Sequence, residues 1–239
     1  MATREEILGK IRNAQQQYPQ SLPLPEPPQV WPVKGSSPDE LLAEFEKNLA
    51  SVAGETCRCA DRAAAAAKIA EVLKSVQTNA GIGGNETDFR LGIRSGELVE
   101  QLAADALPLL GDRGAVLVQA PANPEEADPK KLESISASLI PAEFLLADTG
   151  SAVVRSRSAF DRLMNYLSPV CLIAAKKSQL REHLPHAWPE LAVRISSAGE
   201  AAGEFLLMTG PSRTADIEKI LILGVHGPKK VVVFVIENE

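Results

Sequence analysis

Cysteine, histidine and aromatic residues are scarce in this sequence: 3 Cys, 3 His and 4% Phe, Trp and Tyr among 239 residues. Cys57, Cys59 and Cys171 form an odd, sparse set, which argues against a disulfide framework and fits reduced thiols. A cysteine-ligated iron–sulfur cluster usually takes four cysteines in recognisable runs, so the chain is expected to hold no cluster and no other cofactor of its own. Cys57-Arg-Cys59 is set aside as a redox pair, on the expectation that the two thiols face opposite sides of a strand. His183 and His186 lie three apart around Pro185. Without a nearby cysteine, aspartate or second carboxylate at ligand spacing they read as surface histidines at a helix end, and no metal is expected.

Positive charge is also lacking. A net charge of −6 and a pI near 5.3 argue against a nucleic-acid or anionic-membrane surface, both of which call for clustered Lys and Arg. No apolar run reaches the length of a membrane span, and Met1-Ala-Thr-Arg-Glu-Glu has no signal-peptide core, so the expected location is cytoplasmic. Familiar catalytic motifs are missing too: there is no Ser-His-Asp or Cys-His set, no Gly-x-Ser-x-Gly elbow and no Walker loop. Gly81-Ile-Gly83-Gly84-Asn85 follows a helix instead of a strand and lacks a third glycine in place, so it reads as a helix end running into a loop.

The sequence does offer ample apolar residues, 45%, in a pattern where helix and strand alternate. Thr3 caps an amphipathic helix over 3–17 that carries Ile7, Leu8 and Ile11, and seven prolines between positions 19 and 38 then make an extended tether. Residues 1–38 are thus a helix with its tether and 39–239 an α/β domain. Within the domain, helices are expected over 39–53, 61–78, 95–104, 130–136, 158–167 and 178–184. Strands are expected over 56–59, 114–120, 169–175 and 191–195. The runs 142–147 and 151–154 form a hairpin, with Gly150 supplying the positive φ of its turn. The fold class is therefore α/β, three-layer α/β/α with a largely parallel sheet and one hairpin.

The most informative stretch is Gly203-Glu-Phe-Leu-Leu-Met-Thr209-Gly-Pro-Ser-Arg-Thr-Ala-Asp216, followed by Leu223-Gly-Val-His-Gly-Pro-Lys229 and the run 231–236. It reads as strand, polar turn, short helix, second turn and buried strand, a β-α-β unit. Thr209, Gly210, Ser212 and Thr214 are small enough to let an anion approach unpaired backbone N–H groups, and Arg213 adds a charge. A capped helix start explains the same residues: Ser212 or Thr214 is then the N-cap, Asp216 favours the first turn and Gly224 closes the helix. Asp148, Thr149 and Gly150 of the hairpin turn are expected to face this turn across a shared pocket at the carboxyl edge of the sheet. His226 would close that pocket and Asp148 is the candidate base. Asp148-Thr-Gly-Ser also matches the aspartic-protease turn, which needs two carboxylates in an all-β setting and is a coincidence here.

Taken together, Thr209-Gly-Pro-Ser-Arg-Thr-Ala-Asp-Ile-Glu218, Leu223-Gly-Val-His-Gly-Pro-Lys229 and the upstream Ala-Asp-Thr-Gly-Ser turn resemble the LutC family of lactate-utilisation proteins, the LUD-domain group. The likeness covers roughly 141–236. The family usually has glutamate where this chain has Asp148, a carboxylate one methylene shorter. The resemblance implies a fold like that of ribose-5-phosphate isomerase, glucosamine-6-phosphate deaminase and CoA transferases. It also implies membership of a three-component system oxidising L-lactate to pyruvate, whose partner subunits carry the iron–sulfur clusters. Two functions stay open: a non-redox subunit that binds those partners and a small anion, and a stand-alone enzyme on a phosphosugar, acyl-CoA or folate-like anion. Homo-oligomerisation is open as well.

Overall fold

A computed structural model describes residues 3–17, 31, 34–78, 89–119, 134–197, 203–214 and 222–238, in two units, Met1–Pro32 and Val33–Glu239. In the first, helix α1 (Arg4–Gln17) opens on a reciprocal cap: Glu6 N–H donates to Thr3 Oγ1 at 3.3 Å and Thr3 N–H to Glu6 Oε2 at 2.8 Å. The prolines from 19 to 32 and the Gly81–Asn85 loop lie outside the described residues.

The second unit is organised by a six-stranded sheet in the order β1 (Glu55–Cys59), β12 (Lys230–Ile236), β7 (Val170–Lys176), β4 (Ala137–Pro141), β2 (Arg90–Ile93), β3 (Val116–Gln119). Every pairing in it is parallel. Strands β7 and β12 are near-continuous apolar runs because both of their faces are covered. Side chains alternate between two cores, as a period of two requires. Val232, Phe234 and Ile236 join the core under helices α3 (Arg62–Thr78) and α4 (Glu97–Ala106). Val231, Val233 and Val235 join the core under α2 (Pro38–Ser51) and α5 (Ala159–Leu167).

That second face also carries a four-stranded sheet, ordered β8 (Leu180–Arg181), β5 (Phe144–Leu146), β6 (Ser151–Ser156), β9 (Glu204–Met208). Strands β5 and β6 are the expected hairpin, antiparallel with Gly150 at φ 64°. Strand β8 runs parallel to β5, and β9 antiparallel to β6. The carboxyl ends of β5, β8 and β9 therefore share one edge.

Several expectations fail for identifiable reasons. The opening β-α-β unit is not one: β9 belongs to the smaller sheet and β12 to the larger. Arg213–Thr214 form a short strand, β10, paired antiparallel with β11 (Ile222–Leu223), so the polar turn leads into a strand, and the helix expected after it falls outside the described residues. Residues 215–221, Asp216 included, lie outside the described residues. The stretch 191–195 lies inside helix α6 (Leu184–Ser197), whose Pro189 sits within it. Residues 177–179 form a single 3₁₀ turn before β8, not a helix over 178–184. The helix expected from Ser95 starts at Glu97, with Gly96 at the N-cap and no side-chain cap. Of the helix expected over 130–136, the described residues 134–136 are not helical. Cys57 and Cys59 share a face, as residues two apart on a strand must, and both pack on the core under α3.

Candidate functional site

Helix α2 is well specified: Ser37 caps it with a capping box to Glu40, Pro38 fits the first turn, and Leu42, Phe45 and Leu49 bury its inner face. Its last two turns support both of the turns singled out in the sequence. Asn48 Nδ2 donates to the carbonyls of Ala147 at 2.8 Å and Asp148 at 3.0 Å. A Cβ on Gly150 would collide with the Leu49 backbone nitrogen, so only glycine lets this turn lie against the helix. Gly210, at φ 86°, presses on the same helix end, where a Cβ would stand 3.0 Å from the Val52 carbonyl oxygen.

The two turns are joined directly by Ser151 Oγ and Thr209 Oγ1, 2.6 Å apart. Asp148 N–H donates to the Glu182 carbonyl at 3.0 Å, which ties the turn to the end of β8. Asp148 itself is half-buried, and its Oδ1 is buried without a hydrogen-bond partner among the described residues. Thr149 is exposed at the turn's tip. A carboxylate oxygen held this way either costs stability or has a ligand to meet.

Ser212 connects the group to the second glycine-proline turn. Its N–H donates to the Pro228 carbonyl and its carbonyl accepts from Gly224 N–H, both at 2.8 Å. His226 is exposed and lines an open groove of ≈ 580 Å³ with Tyr166, Pro169 and Lys229. Arg213 is exposed on β10.

The location corrects one premise. These turns sit at the carboxyl ends of β5 and β9, but at the amino edge of the six-stranded sheet: α2 passes through Gly54 into the start of β1, and Lys229 N–H and Lys230 N–H both donate to Pro169, just before β7. The structure thus brings Asp148, Thr149, Gly150, Thr209 and Gly210 together around the α2 terminus. It attaches Ser212 and His226 through the second turn.

Sequence reading missed two groups. Arg94, at the carboxyl end of β2, is buried with Nη1 unpartnered among the described residues, and its Nε lies 3.8 Å from Asp161 Oδ1. Asp161 Oδ2 is already engaged by the N–H groups of Arg157 and Ser158 at the start of α5. The second group is Glu182, His183 and His186, with Glu182 and His183 buried instead of on the surface. All three thiols have raised pKa values through burial; Cys59 and Cys171 are both pushed up to about 11, so neither is a nucleophile at neutral pH.

A family model described as the LUD domain matches residues 42–236. "Lactate utilization protein C" of Bacillus pumilus (strain SAFR-032) is 29% identical over 107 residues, 45% of each chain. The protein of the same name from Bacillus subtilis (strain 168) is 30% identical over 105 residues, 44% of each chain. The matched stretch spans under half the length of these curated relatives. Among solved structures, a DUF162 family protein from Deinococcus radiodurans superposes with a TM-score of 0.56 at 15% identity, over 84% of this chain and 99% of that one. That likeness shows a shared fold. Among the described residues no helix is long and apolar enough to cross a membrane.

Proposed function

The chain belongs to the LUD domain family, and from that premise we propose that it serves L-lactate utilisation as a non-redox component of an iron–sulfur lactate-oxidising complex. The observation that carries the reading is the sequence likeness to proteins named lactate utilization protein C, set within a family match over 42–236. The thiols agree with it: 3 cysteines, all free, with no fourth to complete a cluster, leave electron transfer to partner subunits. In this proposal the body over 39–239 carries the function, and 1–38 is a helix and tether.

The site would be the pair of turns at the α2 terminus. Asp148 supplies the carboxylate, Thr149, Gly150, Thr209, Gly210, Ser212, Arg213 and Thr214 surround a small anion, and Asp216 and His226 complete the set. Copurification of the tagged chain from its native host, with mass spectrometry, is expected to recover cluster-bearing subunits. Deleting the gene is expected to impair growth on L-lactate and leave growth on pyruvate intact. Unchanged growth on lactate, in a host with no other lactate dehydrogenase, would count against the proposal.

Asp148 also supports a second reading, a stand-alone enzyme acting on a phosphosugar, acyl-CoA or folate-like anion. A buried carboxylate oxygen without a partner among the described residues is a fitting general base if a substrate donor reaches it. Thermal shifts with representatives of the three classes separate the readings: a saturable shift abolished in Asp148→Asn favours the enzyme, and none favours the subunit.

A further inference from the structure

We propose that Glu182, His183 and His186 form a binding site for one divalent transition-metal ion of the zinc class. The three residues each offer one ligand atom, and these atoms lie within 4.8 Å of one another. A tetrahedral zinc with bonds of about 2.0–2.1 Å holds its ligand atoms roughly 3.4 Å apart, so the three atoms have to draw together by roughly 1.4 Å at most. Two imidazoles and one carboxylate are a donor set that suits zinc and leaves a position open.

The local sequence explains how the three converge. Strand β8 ends at Arg181, Glu182 and His183 form the corner, and α6 begins at Leu184, which places His186 one turn along. The His186 N–H donates to the His183 carbonyl at 3.0 Å, closing that turn. The imidazole rings stack with centroids 4.2 Å apart and planes 29° from parallel, so both rings are presented side by side. The spacing Glu-His-x-x-His differs from the His-Glu-x-x-His of zinc proteases, where the glutamate is a base and not a ligand.

Glu182 is prepared as a ligand. Its Oε2 accepts from Lys34 N–H at 2.8 Å and its Oε1 from Ser36 N–H at 3.1 Å. These backbone bonds, to which Gly35 N–H adds a third, leave only part of the roughly four lone-pair sites of the carboxylate for a cation. Backbone donors behind a ligating carboxylate are also what orients such ligands in metal sites. With Glu182 and His183 buried and His186 half-buried, the protein would cover one side of a bound ion. Glu182 also accepts from Asp148 N–H through its backbone carbonyl, so the ion would adjoin the turn described above, although the proposal stands on its three residues whatever the chain's function.

The test uses the full chain, stripped with a chelator and titrated with zinc chloride by calorimetry, with cobalt(II) absorption as a report of coordination geometry. The expected result is one ion per chain, with tetrahedral cobalt bands. His186→Ala, at the least buried of the three residues, is expected to weaken binding about tenfold or more and to lose the bands. Glu182→Gln keeps one carbonyl oxygen for the backbone and is expected to weaken binding similarly, without unfolding. Cys57→Ser/Cys59→Ser is expected to bind as wild type. Absence of zinc binding by wild type at about a hundred micromolar would overturn the site. So would unchanged affinity in both His186→Ala and Glu182→Gln, or loss of binding in the cysteine variant.

Discussion

Ser151 Oγ and Thr209 Oγ1 meet at 2.6 Å across the edge of the four-stranded sheet, and this one contact joins two turns separated by 58 positions in the chain. Ser151 begins β6 and Thr209 follows β9, strands that pair antiparallel with Ala152 opposite Met208. The hydroxyl pair extends that ladder by one step where the backbone turns away. The candidate site is thus a product of strand register, and a slip by one residue would turn one hydroxyl to the opposite face.

The contact is expected to be worth about 1 kcal/mol, the usual net value of a partly buried hydrogen bond. A double-mutant cycle with Ser151→Ala and Thr209→Val, read by urea unfolding, should show a coupling energy of that order. Additive losses would mean the hydroxyls are neighbours without a bond.

Gly150→Ala is expected to destabilise by about 3 kcal/mol or more, since it combines a positive φ with backbone collision. The φ is 64°, and the added Cβ would meet the Leu49 nitrogen of α2. Because the helix end and the turn must separate, Asn48 should lose its hold on the Ala147 and Asp148 carbonyls. Unfolding midpoints in urea check the stability. Hydrogen exchange at 147–150 checks the local opening.

The parts of this fold legible in sequence are those where composition and period agree. The near-continuous apolar runs of β7 and β12, the capped α2 and the Gly150 hairpin each carry a local signal strong enough to stand alone. Helix α6 was illegible because Pro189 and the alternating Leu-Ala-Val-Arg-Ile from 191 imitate a strand. Strand β4 was illegible because Ala-Ser-Leu-Ile-Pro runs into the next apolar segment. For the site, Asp148 and Gly150 were visible as turn chemistry and Thr209 as a small polar residue after a strand. What no local pattern carries is pairing between distant elements. The assignment of β9 to the smaller sheet, and with it the amino-edge position of the turns, depends on tertiary register alone. Burial of His183 and Arg94 is a tertiary property for the same reason.

Cys171 gives a pH dependence with a definite sign. Burial raises its folded pKa from 9.0 to about 11, while the unfolded thiol titrates near its ordinary value. Well below its ordinary value of 9.0 the thiol is protonated in both states and contributes its full share of stability. As pH climbs from there towards about 11 the unfolded state sheds its proton first, so stability falls. Melting temperatures between pH 8 and 11 should decline less steeply in Cys171→Ala than in wild type. At pH 8 native Cys171 should resist alkylation that goes to completion in denaturant.

Asp148→Asn separates architecture from chemistry at the proposed site. The bonds that fix this turn, from Asn48 to two carbonyls and from Asp148 N–H to Glu182, are all made by the backbone of residues 147 and 148. The amide should therefore fold as the acid does. Neutralising a carboxylate whose buried oxygen lacks a partner among the described residues should leave stability within about 1 kcal/mol of wild type or raise it. If Asp148 serves the function, the variant should be stable yet fail to restore growth on L-lactate to a deletion strain. Asp148→Glu, which restores the length usual in the resembling family, tests how far position matters. Its extra methylene must fit where one carboxylate oxygen is already buried, so partial restoration with lowered stability is expected. Full restoration by Asp148→Asn would instead assign the carboxylate no chemistry and leave the turn a structural junction between α2 and the small sheet.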